Sequence, residues 1–181
     1  MSHKNNRGRI RGSRRLRSVV GGLLAIGAWA LGVAVPAVAD YEAGLRAWEK
    51  GDFASALVEL RKSADAGDKR AQDHLGMMFE DGEGVPRSNQ TAAYWYQQSA
   101  EQGHAQAQLN LGRMYRNGKG VPQDDKQAVA WYRRAAAQGL AVAQFFLGLM
   151  YDTGKGVDAS ASHAYMWFSL AAEQGDQDAA F

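Results

Sequence analysis

Cysteine is absent from this chain of 181 residues, proline occurs only three times, and neither an HxxxH pair nor a GxSxG segment is present. The missing cysteine excludes disulfides, thiol nucleophiles and thiolate metal sites together. Scarce proline beside 46% apolar residues argues against a disordered chain. Packing alone must hold the fold, and the length suffices for one domain and its core.

Acidic residues are missing from the first 39 positions, which carry seven bases: Lys4, Arg7, Arg9, Arg11, Arg14, Arg15 and Arg17. An apolar run over 19–35 and the AxA site Ala37-Val38-Ala39 follow. A basic start, an apolar stretch and small residues at a cut point predict a secretory signal peptide over 1–39, cleaved after Ala39. The rival is an uncleaved N-terminal helix anchored in the inner membrane. The Arg14-Arg15 pair hints at twin-arginine export, although Leu16-Arg17-Ser18 follows it. Taking these seven from 21 Lys and Arg leaves 14 against 19 Asp and Glu, so the remainder has a net charge of −5. The basic excess belongs to the leader, no basic stripe remains, and nucleic acid is not an expected partner.

What is abundant is repetition. Ala71, Ala107, Ala143 and Ala179 stand 36 apart and open blocks that align without gaps: AQDHLGMMFEDGEGVP, AQLNLGRMYRNGKGVP and AQFFLGLMYDTGKGVD. Each continues into a segment such as AVAWYRRAAAQG. Periods of this size indicate stacked units. Within the second block, Ala107, Leu111, Met114 and Tyr115 mark one helical face; Ala128, Trp131, Tyr132 and Ala135 or Ala136 mark another. Gly118 and Gly120 punctuate between them, and Asp124 or Asp125 is the expected N-cap, with Ser88 or Asn89 and Ser160 or Ser162 in the other blocks. Gly139, like Gly103 and Gly175, closes the second helix. A glycine inside a helix costs about 1 kcal/mol against alanine, so the recurrence of Gly76, Gly112 and Gly148 calls for close packing, expected against Ala92, Ala128 and Ala164. Positions 41–70 form the same unit with four residues fewer between the helices, leaving a tight turn at Gly51-Asp52-Phe53.

The pattern AxxxLGxMY, then GxGV, then AxxWYxxAAxxG at period 36 resembles Sel1-like repeats, the longer-looped relatives of tetratricopeptide repeats. The resemblance spans 71–178, with a shortened unit before it. It implies an all-α fold, a right-handed α/α superhelical solenoid whose first helices line the concave side. It also implies an adaptor role in protein complexes, many family members being exported and bacterial, and some cysteine-rich ones being linked to β-lactam binding. The expected organisation is a leader at 1–39, a tetratricopeptide-like hairpin at 40–70, repeats at 71–106, 107–142 and 143–178, and the start of an incomplete unit at 179–181.

Chemistry-bearing motifs have simpler explanations. The GxG elements at Gly82/Gly84, Gly118/Gly120 and Gly154/Gly156 lack the third glycine, preceding strand and P-loop lysine of a phosphate cradle, and read as hairpin loops. Trp95-Tyr96, Trp131-Tyr132 and Trp167-Phe168 recur at the strict period expected of core aromatics. His74, His104 and His163 fall at three phases of the repeat, and the acidic pairs Glu80-Asp81 and Asp124-Asp125 sit at helix ends, so neither a metal, a cofactor nor catalysis is expected.

Scaffold positions repeat, whereas the face expected to be concave varies: Tyr41, Leu45 and Trp48; then Asp73, Met77, Glu80 and Asp81; then Leu109, Arg113, Arg116 and Asn117; then Val142, Phe145, Leu149 and Asp152. Val142, Phe145 and Leu149 are expected to form an apolar patch beside Arg113 and Arg116, with Asp73 and Met77 adjoining, as the docking face for a protein with an apolar anchor and an acidic flank. For Phe145 the alternative is packing on the neighbouring helix. Met166 and Leu170 on the last helix lack a following helix, so another subunit or partner is expected to cover them. The function expected is that of a periplasmic or secreted adaptor that is no enzyme; the alternative is a cell-envelope enzyme, or a peptidoglycan or β-lactam binder, using Glu80 or Asp81. Membrane contact is expected only through an uncleaved leader.

Overall fold

A computed structural model describes residues 40–174. The leader, its cleavage point, Gly175 and the incomplete unit lie outside the described residues. Eight helices follow one another: α1 (Tyr41–Glu49), α2 (Phe53–Asp65), α3 (Lys69–Asp81), α4 (Asn89–Glu101), α5 (Ala105–Asn117), α6 (Asp125–Ala137), α7 (Ala141–Thr153) and α8 (Ala161–Glu173). They pair as hairpins that stack in chain order, each packing on the next, which makes the protein an all-α solenoid. Among the described residues no helix is long and apolar enough to cross a membrane.

Local chemistry sets the helix ends. Asp52, Ser88, Asp124 and Ser160, spaced by 36, cap the second helix of each hairpin, their side-chain oxygens accepting from backbone N–H groups of its first turn. The first helix of each full unit stops at a left-handed glycine: Gly118, for example, has φ 65° and donates its N–H to the Met114 carbonyl. The chain then folds back so that Asp124 N–H donates to Tyr115 O, as Ser88 does to Phe79 and Ser160 to Tyr151. In the first hairpin the link shrinks to 50–52, between Glu49 and Phe53.

The helical glycines do permit close approach, but to rings rather than alanines. A Cβ on Gly112 would lie 2.6 Å from the Tyr132 ring, and Gly76 and Gly148 meet Tyr96 and Phe168 in the same way. Gly44 meets Leu60, which occupies the aromatic position of the first hairpin. Tyr96 and Tyr132 are thereby fully buried, beside Leu75, Met78, Leu111 and Met114 of the first helices.

A second recurring feature is polar. The amides of Gln72, Gln108 and Gln144 are buried and donate to Ala64 O, Ala100 O and Ala136 O of the preceding hairpin. Their own carbonyls accept from Gln102, Gln138 and Gln174 at 2.7 to 2.9 Å. Each buried amide is satisfied on both sides, so this ladder ties successive units without leaving a stranded polar group. The glutamine after the alanine of each AQ pair was its sequence signal.

Candidate functional site: a charged groove across the first helices

Between α3 and α5 lies a groove of about 360 Å³ lined by Met77, Glu80, Asp81, Tyr96, Gln106, Asn110 and Arg113. Met77, Arg113 and Leu149 share one repeated phase of the first helices and Glu80, Arg116 and Asp152 the next; of these six, Met77, Glu80 and Arg113 line the groove. Acid, base and acid therefore alternate along the solenoid. In the groove floor the Tyr96 hydroxyl donates to Glu80 Oε2 at 2.9 Å. Burial, reinforced by that carboxylate, holds the Tyr96 phenol well above its ordinary range. One unit on, Arg116 stands where Glu80 stood, and its guanidinium lies 5.3 Å over the Phe146 ring. The Tyr132 hydroxyl there is buried beside the Arg116 guanidinium, which can only donate to it, and its own proton has no acceptor. Burial pushes its pKa up to about 12, against the downward pull of Arg116 and Arg113. Among the described residues neither arginine forms an ion pair.

The seven residues expected to form one docking face are not all brought together. Met77 and Arg113 share the groove. Leu149 lines a separate, mainly apolar depression of about 340 Å³ with Asp152, Ala161, Ala164, Tyr165 and Phe168. Asp73 is a correction: it is only 3% exposed, accepts from Asn110 Nδ2 at 3.3 Å, and lies 3.7 Å from His104 Nδ1, in the joint between hairpins. Burial raises its pKa to about 7, with the Asn110 bond opposing. Leu109 is buried at the equivalent place one unit on. Phe145 shares that phase and packs against Phe146 and Phe168, at 5.6 Å from the latter, so packing on a neighbouring helix describes it better than a free patch. The arginine expected beside Phe145 instead covers Phe146. Val142 is exposed on the first turn of α7 and lines neither depression. Tyr132, expected from the sequence to be a core aromatic, is core here, with Phe146 stacked on it at 5.5 Å. On α8, Tyr165 is 74% exposed where the preceding units bury Ala93 and Val129, and Met166 and Leu170 are exposed beside it.

A family model described as Sel1 repeat matches residues 69–104, 105–140 and 141–176. These boundaries follow the starts of α3, α5 and α7. Among solved structures, a Sel1 repeat protein from Oxalobacter formigenes is 33% identical over 77% of this chain and 58% of its own, with a TM-score of 0.75. A protective antigen of uropathogenic Escherichia coli that displays an SLR fold is 36% identical over 78% of this chain, with a TM-score of 0.74, although this chain covers only 32% of it. Cysteine rich protein B of Helicobacter pylori is 25% identical over 67% of this chain and 92% of its own, with a TM-score of 0.53. The chain thus spans little more than half of the first of these proteins and a third of the second. No curated protein matches it significantly. Period, glycine-terminated loops, stacked hairpins and these likenesses agree, and the chain belongs to the Sel1-repeat family.

Proposed function

We propose that this protein is an exported, non-catalytic interaction scaffold that holds a protein partner on the face of α3, α5 and α7 that carries the groove and the neighbouring apolar depression. The observation that carries this reading is a contrast within one repeat. Positions that build the hairpin recur at 36, whereas Met77, Arg113 and Leu149, and Glu80, Arg116 and Asp152, change in size and sign at exposed or half-exposed places. A surface that must only stay solvated has no need of apolar Met77 and Leu149 among its charges. Glu80, the acid considered for catalysis in the alternative reading, already accepts the Tyr96 proton donor, which suits a fixed recognition surface. The basic, apolar and AxA succession of 1–39 supports delivery to the periplasm or outside the cell.

The test uses the full chain as bait in envelope extract beside two variants confirmed to be helical. Met77→Asp with Leu149→Asp alters the groove; Tyr94→Ser alters an exposed residue of a second helix. A protein retained by the wild type and by Tyr94→Ser, but lost from the groove variant, is the expected outcome. Retention by all three baits would place the partner elsewhere. Hydrolysis of a cell-wall substrate by the purified chain, abolished by Glu80→Gln, would replace the scaffold reading with the enzymatic one.

A further inference from the structure

The groove between α3 and α5 carries charge of opposite sign on its two walls. Glu80 and Asp81 stand on α3 and Arg113 on α5, and among the described residues none of the three forms an ion pair. Helix stability does not account for the two acids. They occupy the last turn of α3, where the helix dipole disfavours negative charge, and that turn has no basic residue to offset them. Glu80 is held in place, because the Tyr96 hydroxyl donates to its Oε2 at 2.9 Å, and its Oε1 is left for another donor. The same place one unit on is filled. Phe146 stands where Asn110 stands and stacks on Tyr132, the counterpart of Tyr96, at 5.5 Å, with the Arg116 guanidinium over its ring. Asn110 is shorter, only 6% exposed and bound down to Asp73, so the space that Phe146 fills is open beside Tyr96.

We infer that this groove holds an extended segment of a protein partner through two side chains of opposite charge, a basic one against Glu80 and Asp81 and an acidic one against Arg113. This rests on the scaffold reading above and gives its partner a chemistry. An arginine suits the acidic wall best, because its fork of N–H donors can serve two carboxylates at once, while its aliphatic stem lies on Met77. The helix dipole that disfavours the acids favours this cation. No ion pair joins the two walls, and side chains at i and i+2 of an extended segment, which lie on one side of it about 7 Å apart, bridge such a gap. Asp81, Gln106 and Arg113 are exposed, so the groove does not enclose a small molecule and is suited to side chains carried by a larger partner. The complementary pattern is a basic and an acidic residue separated by one position.

The probes are two fluorescently labelled peptides with capped ends, Ser-Leu-Arg-Ser-Glu-Leu-Ser and the reversed charge order Ser-Leu-Glu-Ser-Arg-Leu-Ser, titrated with the full chain and followed by anisotropy. One order should bind at least about tenfold more tightly than the peptide with glutamine at both charged places, because the groove has one polarity. Charge reversal then assigns the walls. Arg113→Glu should weaken the preferred peptide about tenfold and favour the form with arginine in place of its glutamate; a merely structural arginine would not exchange the preference. Glu80→Gln with Asp81→Asn should abolish the contribution of the peptide's arginine and keep that of its glutamate. Neighbouring units carry Leu149, Arg116 and Asn117 at the places of Arg113, Glu80 and Asp81, so these variants are compatible with the fold. Equal binding of charged and neutral peptides, binding of none, or an unchanged preference in Arg113→Glu would overturn the two-charge groove. The scaffold reading is tested separately by the capture experiment, whose variants leave Glu80, Asp81 and Arg113 in place.

Discussion

Two joints of this solenoid, 36 residues apart, are built on one backbone plan with opposite chemistry. Between the second and third hairpins the joint holds Asp73, His104 and Asn110; between the third and fourth the same three places hold Leu109, Leu140 and Phe146. In the first, a buried carboxylate accepts one amide hydrogen bond, with an imidazole at 3.7 Å whose Nδ1 is buried and otherwise unpartnered. In the second, Leu109 is core, with Leu140 and Phe146 packed against it and Phe146 stacked on Tyr132 at 5.5 Å. The glutamine ladder and the ring-on-glycine contact are the same in both. Stacking is therefore specified by the recurring contacts, and the joint itself is free to be polar or apolar, at different cost and with different sensitivity to pH.

Moving the carboxylate is the most disruptive way to break the comparison. Leu109→Asp places an acid among apolar side chains with no amide to meet it, and should lower unfolding free energy by about 3–5 kcal/mol in urea denaturation at neutral pH. A loss below about 1 kcal/mol would show that the second joint is already wet.

The wild-type joint should reveal itself through pH. Asp73 has a folded pKa near 7 against an ordinary 3.8, so the folded chain binds its proton more tightly than the unfolded chain. Stability from this group is then greatest below about pH 4 and falls as pH rises towards 7, by about 2–4 kcal/mol in total. His104 acts in the opposite sense: burial, with Lys69 nearby, lowers its pKa, so its protonation below the ordinary histidine range destabilises the fold. Asp73→Asn should flatten the Asp73 slope between pH 4 and 7; an unchanged slope would assign it to another group.

Sharpening the comparison needs the whole transplant. Asp73→Leu, His104→Leu and Asn110→Phe together copy the second joint into the first, and replacing buried polar groups with packed apolar ones should be neutral or stabilise by about 1–3 kcal/mol. Asp73→Leu alone strands Asn110 and should do worse than the triple variant. The smallest effect separates the two tyrosines: Tyr96→Phe loses its bond to Glu80 and about 1 kcal/mol, while Tyr132→Phe, which loses only its contact with Arg116, should lie within about 0.5 kcal/mol of wild type. Equal losses would mean that Tyr132 has an acceptor in solution.

Much of the fold was legible because its determinants are local. Ser88, Asp124 and Ser160 cap because a short side-chain oxygen reaches the next turn's N–H groups, and Gly118 ends α5 because it accepts positive φ; each is visible in a few adjacent letters. The site was legible only as a stripe. Asp73, Met77 and Glu80 recur at helical spacing and share a face, but periodicity does not say how far the next hairpin overlaps that face.

The sequence by itself determined the period, the hairpin ends, the aromatic and glycine scaffold, and hence the Sel1-repeat solenoid, because each depends on residues close in the chain or on exact repetition. Tertiary structure decided what the next unit covers. It buries Asp73 and Leu109 while leaving Arg113 at the groove, turns Phe145 onto Phe168, and sets the buried Tyr132 hydroxyl against Arg116. Those outcomes follow from where one helix lies across another, a distance and an angle that no helical wheel contains.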